Sequence, residues 1–371
     1  MKKISVFLAC VLLLTLFAGC GDRTAPSTEA PGPGTHQTTV IPSTAEPTAA
    51  PTTVPATVPT TETPTEAPET TAPTALPTTT SAPEPGDVHP MLFRVTGENG
   101  QEMYLFGTIH VGDERIYTAL AQVTPFLEGC DALAVEFDVV AYETDLAAQM
   151  QAINQFVLTD GTTVEDHMPA ELYEKASALL GEAGLFPNLM KHYNLSMWSQ
   201  LVEQAALMTK SSLDMEIGMD RELIHFCYDE KIEVRDVESP ELQYALLASF
   251  SDELNLLMIE NTLDNLEDYG AQTDRLYSVW LEGNYDNVVA FLNGETEDEE
   301  AELTEAQQAL VEDYNDKMLT QRNLGMRDKA LEWLTAGDKV FFAVGAAHLV
   351  DEGGLVELLR AAGYTVEQVE Y

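Results

Sequence analysis

The stretch Tyr104-Leu-Phe-Gly-Thr-Ile-His110 decides the reading of this chain, because Phe341-Phe-Ala-Val-Gly-Ala-Ala-His348 repeats its plan far downstream. Each begins as an apolar, aromatic-rich run with the length of a buried strand and breaks at a Gly-x-x-His. The likeness continues past the histidines, with His110-Val-Gly-Asp-Glu114 beside His348-Leu-Val-Asp-Glu352. Behind each lies an amphipathic helical stretch, marked by Ile116, Leu120, Val123 and Leu127 in one and by Leu355, Leu358 and Leu359 in the other. A further candidate strand follows both. Strand, Gly-x-x-His, helix, strand therefore occurs twice.

The glycine lets the backbone turn as the strand ends and leaves the histidine at the carboxyl edge of a sheet, where ligands gather in α/β folds. If the two strands are neighbours, their imidazoles converge. Two imidazoles with a nearby carboxylate make a common metal constellation. A lone histidine in such a loop would more simply order its own turn; the duplication favours a shared site.

Other strand candidates surround this pair. Leu92-Phe-Arg-Val-Thr-Gly and Gln101-Glu-Met-Tyr-Leu-Phe-Gly flank a Glu98-Asn-Gly turn and read as a hairpin. Ala132 to Asp138, Ile232 to Val237, Lys339 to Val344 and a segment from Tyr364 complete the set. Long helical tracts run roughly over 141–157, 169–228, 240–292 and 302–336. The fold class is α/β or α+β: a mixed sheet of about five or six strands with the helical insertions as a cap beside its edge.

The paired motifs, with Gly353 and Gly354 after the second, resemble those of the TraB/GumN family, which includes the Tiki-type metalloproteases. The resemblance runs from about Leu92 to the C-terminus. It implies a metal-dependent, peptidase-like hydrolase holding a divalent ion such as Mn²⁺, Co²⁺ or Zn²⁺. The family also includes proteins linked to peptide-pheromone shutdown, which implies an alternative: non-catalytic capture of a peptide or of haem. The His-Glu-x-x-His zinc helix is absent.

Candidate site residues follow from this frame. His110 and His348 are the metal ligands. Glu136, in Ala134-Val-Glu-Phe-Asp138, is the third, because a carboxylate in an apolar strand is costly to bury unless it meets a charge or a metal. It serves as ligand or general base, and the resemblance also places a Glu there. Asp220 in Gly218-Met-Asp220 and Glu238 before Ser239-Pro240 resemble further family motifs, a Gly-x-Asp and an acidic turn, and are assigned to binding the cofactor. Their simpler roles would be helix capping and a turn. Arg322-Asn323 matches the family's Arg-Asn pair and is assigned to catalysis, Arg322 either stabilising an oxyanion or neutralising the carboxylates. His36, His89, His167, His192 and His225 lack a paired motif, and Trp198, Trp280 and Trp333 lie on helical stripes that read as core.

The N-terminal quarter reads differently. Met1-Lys-Lys and the apolar run to Gly19 form a signal peptide, and Leu16-Phe-Ala-Gly-Cys20 resembles a bacterial lipobox, so residues 1–20 are a lipoprotein signal with Cys20 lipidated. The expected location is extracytoplasmic, anchored to a bacterial membrane. Residues 21–87 are rich in Thr, Pro and Ala and poor in large apolar side chains. Of 19 prolines, 15 fall at or before Pro90, which predicts a disordered, semi-extended stalk ahead of a domain spanning 88–371.

Charge excludes one class of partner. The chain carries 62 acidic against 18 basic residues; only eight acids and three bases precede Val88, so the acidity belongs to the folded part. Such a surface repels nucleic acid and attracts cations and basic peptides. Runs such as Glu295-Thr-Glu-Asp-Glu-Glu300 read as solvated surface. Of four cysteines, Cys10 leaves with the signal and Cys20 is lipidated; Cys130 and Cys227 either form one disulfide or stay as buried thiols.

Overall fold

The computed structural model describes residues 88–294 and 303–371. The signal peptide, Cys20, the stalk and the 295–300 acidic run lie outside the described residues. The expected hairpin opens the fold. Leu92–Thr96 (β1) pairs antiparallel with Glu102–Thr108 (β2), matching Leu92 to Phe106 and Thr96 to Glu102. Gly100 turns it at φ 83°, a conformation natural to glycine.

Arg115–Leu127 (α1) then leads to Ala132–Val135 (β3). The first helical insertion comprises Val139–Thr144 (α2), Leu146–Asn154 (α3), Val164–His167 (α4), Ala170–Glu182 (α5), Pro187–Met190 (α6), Leu195–Lys210 (α7) and Met219–Glu230 (α8). It returns to the sheet at Glu233–Asp236 (β4). The second comprises Pro240–Ala248 (α9), Asp252–Asp264 (α10), Leu266–Glu282 (α11), Tyr285–Leu292 (α12), Glu305–Asn315 (α13) and Gln321–Ala336 (α14). Val340–Gly345 (β5), Leu355–Ala361 (α15) and Thr365–Gln368 (β6) close the chain.

The six strands form one mixed sheet in the order β4-β3-β5-β2-β1-β6. β4, β3, β5 and β2 are parallel to one another, while β1 runs antiparallel to both β2 and β6. The two repeat strands are therefore direct neighbours, with Gly107 opposite Val344 and Thr108 opposite Gly345. Both Gly-x-x-His turns leave the same edge side by side, the arrangement the duplicated sequence favours.

Alternation along the strands fills two cores. Tyr104, Phe106, Leu133, Phe341 and Ala343 face one layer with α1, α7, α8 and α11; Met103, Leu105, Ala134, Phe342 and Val344 face the other with α14 and α15. Both faces are covered, which is why these strands read as continuous apolar runs. Trp198 and Trp280 belong to the first core and Trp333 to the second.

Within the cap, α7 is buried all round from Leu195 to Leu207, including Ser196, Ser199, Gln200, Glu203 and Gln204. Polar groups here need partners. Asn255 Nδ2 donates to Ser196 Oγ at 3.0 Å. Glu203 shares a hydrogen bond with Tyr269, and burial pushes its carboxyl up to about 8. Cys130 and Cys227 are free thiols, so no disulfide joins them. Among the described residues, no helix is long and apolar enough to cross a membrane.

Candidate active site at the carboxyl edge of the sheet

The site forms where β3, β5 and β2 end. Glu136 stands one residue beyond β3 and is 9% exposed. Its Oε1 accepts the Gly345 N–H at 3.0 Å, and its Oε2 accepts from Arg322 Nη2 at 2.6 Å and Gln243 Nε2 at 3.0 Å. Burial alone would raise this carboxyl. The Arg322 charge, then both histidines and the Gly345 N–H, instead hold it well below the usual carboxylate range.

Arg322 arrives from α14 after an irregular turn. Asp316–Thr320 is a π-helical segment between α13 and α14, the kind of bulge that re-aims the side chains beyond it. The guanidinium lies between two carboxylates. Besides Glu136 it reaches Glu238, through Nε at 3.0 and 3.1 Å and Nη2 at 2.7 Å, while Nη1 donates to the Met318 carbonyl at 3.2 Å. Arg322 is only 7% exposed. Of the two roles expected for it, neutralising the carboxylates is the one its contacts describe. Glu238 accepts from Arg322 and from Gln243 Nε2 at 2.8 Å, so its side chain is committed to this cluster. The expected Pro-initiated helix after it is present: Ser239 caps α9 by accepting from Leu242 N, and Pro240 is its first residue.

His348 lies in a short 3₁₀ turn at the end of β5 and is fully buried. Its Nδ1 is 2.6 Å from Asn323 Oδ1, and Asn323 Nδ2 donates to the Gly353 carbonyl at 2.9 Å. That second bond fixes the amide's orientation, so Nδ1 of His348 must carry the proton and Nε2 presents a lone pair. Burial and the Arg322 charge push this imidazole down to about 3. Its Nε2 has no hydrogen-bond partner and faces Glu136 Oε1 at 3.7 Å. A cation between these two acceptors would satisfy both.

His110 follows β2 on the neighbouring loop. Its Nδ1 is 3.1 Å from Asp220 Oδ1 in a charge contact, and its Nε2 is buried without a partner. Burial pushes this imidazole down, but the Asp220 carboxylate, with Glu136 farther off, reverses the sign and lifts it to about 9. Asp220 lies in the first turn of α8, whose N-terminus backs onto the loop: Met219 N donates to the Ile109 carbonyl at 2.8 Å. Gly218 permits that approach, since a Cβ there would sit 2.8 Å from the His110 carbonyl oxygen.

The loops are also pinned from the cap. Trp280 Nε1 donates to the Gly107 carbonyl at 2.8 Å, and the Tyr277 hydroxyl donates to Asp113 Oδ1 at 3.0 Å. The Tyr285 hydroxyl accepts from Asp351 N at 3.1 Å beyond the second histidine. Trp280, expected only as core, thus also braces the first motif.

All the sequence-predicted residues converge on this edge: Glu136, Glu238 and Arg322 with His348 and Asn323, and His110 with Asp220. Gln243, buried and bridging Glu136 to Glu238, was not anticipated. Its only sequence signal is its place one turn into the helix that follows Glu238.

A divalent ion can be tested against this geometry. Among the described residues, no three His, Cys, Asp or Glu side chains already converge on one cation-sized point. The donor chemistry nevertheless fits. His348 Nδ1 is hydrogen-bonded to Asn323, His110 Nδ1 lies 3.1 Å from Asp220 Oδ1, and both Nε2 atoms are without a partner, so each ring has a second group beside it of the kind that orients a ligating imidazole.

Residues 91–368 match the model of the TraB/PrgY/gumN family. The chain belongs to this family. It is 27% identical over 267 residues to a relative in Escherichia coli K12 called "Uncharacterized protein YbaP", covering 72% of this chain and 90% of that one. A Shigella flexneri relative with the same description matches to the same extent. No solved structure matches.

Proposed function

We propose that this TraB/PrgY/gumN family member is a divalent-cation-dependent hydrolase acting on peptides. One observation carries the reading: two buried imidazoles on adjacent loops keep Nε2 unpaired while Nδ1 of His348 is hydrogen-bonded to Asn323 and Nδ1 of His110 lies 3.1 Å from Asp220, and His348 faces an ionised glutamate. His348, Glu136 and His110 would hold the ion. When bound, such an ion lowers the pKa of a water and polarises a carbonyl.

The chain's own residues prepare the site. Asn323 keeps the proton of His348 on Nδ1, and Asp220 orients His110. Arg322 offsets the charges of Glu136 and Glu238, and the Gly345 N–H fixes the inner oxygen of Glu136. Asn323 and Asp220 are positioning residues in this scheme. Lipidation of Cys20 would tether the enzyme outside the cytoplasm.

A second reading, capture of a peptide or haem without turnover, is favoured by the apolar pocket that shares a wall with His110. One experiment separates the two. The full chain is stripped with chelator, reloaded with Mn²⁺, Co²⁺ or Zn²⁺, and incubated with a synthetic peptide library read by mass spectrometry, with bound metal counted in parallel. The hydrolase reading expects cleavage lost with chelator and restored with metal. His110→Ala and His348→Ala should each lose metal and cleavage together while keeping a cooperative melt. Full metal occupancy in both variants overturns it, as does tight peptide binding with no cleavage under any metal.

A further inference from the structure

The two Gly-x-x-His turns do more than present histidines. They form one wall of an apolar pocket, the first through Thr108, Ile109 and His110 and the second through Gly345, Ala346 and Ala347. The opposite wall comes from α11 and α12, including Leu276, Val279, Trp280, Val288 and Phe291. The motifs differ here in a way their shared chemistry does not require. Where the first has Thr108-Ile109, the second has Ala346-Ala347, and the small side chains keep the space open. Its polar side chains are few: among those lining it only Thr108, His110 and the Trp280 indole carry a polar atom, and that indole N–H is already bonded to Gly107 O.

An unfilled apolar space forfeits packing contacts, so a fold keeps one open only if its walls are held apart. These walls are held. Trp280 ties α11 to the first turn, Tyr285 ties the start of α12 to the loop after the second, and Tyr277 stacks on Trp280 with ring centroids 5.8 Å apart. A preformed apolar pocket with a few polar groups at one end is the usual form of a site for part of a ligand. The ionisable group among the lining residues here is His110.

We infer that this pocket is the specificity site of the enzyme and takes one large apolar side chain, such as Leu, Ile, Met or Phe, next to the bond presented at His110. The inference rests on the hydrolase reading for the bond and on the pocket alone for the side chain. Trp280, Phe291 and Ala347 set its depth: Ala347→Phe fills it and Phe291→Ala deepens it.

The test uses the full chain with metal, the same synthetic peptide library, and two readouts: cleavage sites by mass spectrometry and peptides retained on immobilised protein. Cleaved or retained peptides should share a large apolar residue at one fixed position. Ala347→Phe should lower kcat/KM for Leu peptides roughly 10- to 100-fold and shift preference toward Ala or Gly, the discrimination apolar pockets reach. Phe291→Ala should shift preference the other way, toward Phe, and a thermal melt of each variant shows that it is folded. Cleavage without side-chain preference, or a preference unmoved in folded Ala347→Phe, overturns the pocket assignment and leaves the hydrolase reading standing. Apolar-selective retention that Ala347→Phe abolishes, with no cleavage under any metal, overturns the hydrolase and leaves the pocket. Neither cleavage nor retention overturns both.

Discussion

Glu136 and Glu203 are both buried, at 9% and 4% exposure, yet they meet opposite fates. Glu136 stands at the sheet edge with a guanidinium, an amide and a backbone N–H around it and is held ionised. Glu203 lies inside the cap on α7 with a Tyr269 hydrogen bond, Tyr314 nearby and, among the described residues, no cation shifting it, and its carboxyl is pushed up to about 8. Burial is common to both, so it does not mark the site. Compensation does: the fold keeps a charge only where it has built a counter-charge.

Removing that counter-charge tests the comparison most severely. Arg322→Ala leaves Glu136 and Glu238 facing each other without a cation and should cost about 3–5 kcal/mol of stability in urea unfolding at pH 7. Adding Glu136→Gln should recover part of the loss. If Arg322→Ala unfolds at the wild-type urea concentration, the charge of Glu136 and Glu238 is not offset by Arg322.

The second variant approaches from the cap. The folded-state value for Glu203 is raised from an ordinary 4.5, so its contribution is fully present below about pH 4.5 and is lost as pH rises through about 8. Glu203→Gln should therefore gain on the wild type by about 1.4 kcal/mol per pH unit across that window and then level off. Parallel wild-type and variant stability curves would place a hidden cation beside Glu203.

Two smaller effects sharpen the site half. Gly218→Ala drives a methyl against the His110 carbonyl and should cost about 1–3 kcal/mol, with the His110 ring resonances shifted in NMR spectra and those of His348 unmoved. Asn323→Ala leaves the His348 Nδ1–H without its acceptor and should cost about 1–2 kcal/mol. It should weaken metal binding roughly 10- to 100-fold, read by titration calorimetry. Unchanged metal affinity would make Asn323 a packing residue only.

What could be read from the sequence divides along the same line. The repeat favoured one shared edge for the two Gly-x-x-His turns, and the strands before them, β2 and β5, are neighbours. Apolar runs predicted the strands because both sheet faces are covered. Glu136 was legible because a carboxylate in such a run is conspicuous. Gln243 was not, since an amide in an amphipathic helix looks ordinary until its partners, Glu136 among them at a separation of 107 residues, are placed beside it. The pairing of His110 with Asp220 was equally hidden, because it depends on how α8 docks rather than on any spacing. Nor did periodicity reveal that α7 is buried all round, since Ser196, Gln200 and Glu203 give it the pattern of a helix with a wet face.

The strand order also sets a timetable. β5 lies between β3 and β2, although the ribosome makes it some two hundred residues after either, and β6 then pairs with β1, the earliest of these six strands. Until β5 emerges, the two halves of the sheet have no shared partner, and Glu136 lacks both Gly345 and His348. Contacts this distant in sequence make for slow assembly. A nascent or truncated chain ending before Val340 carries one Gly-x-x-His motif and two sheet fragments, so the candidate site is assembled only once Val340 to His348 have been made.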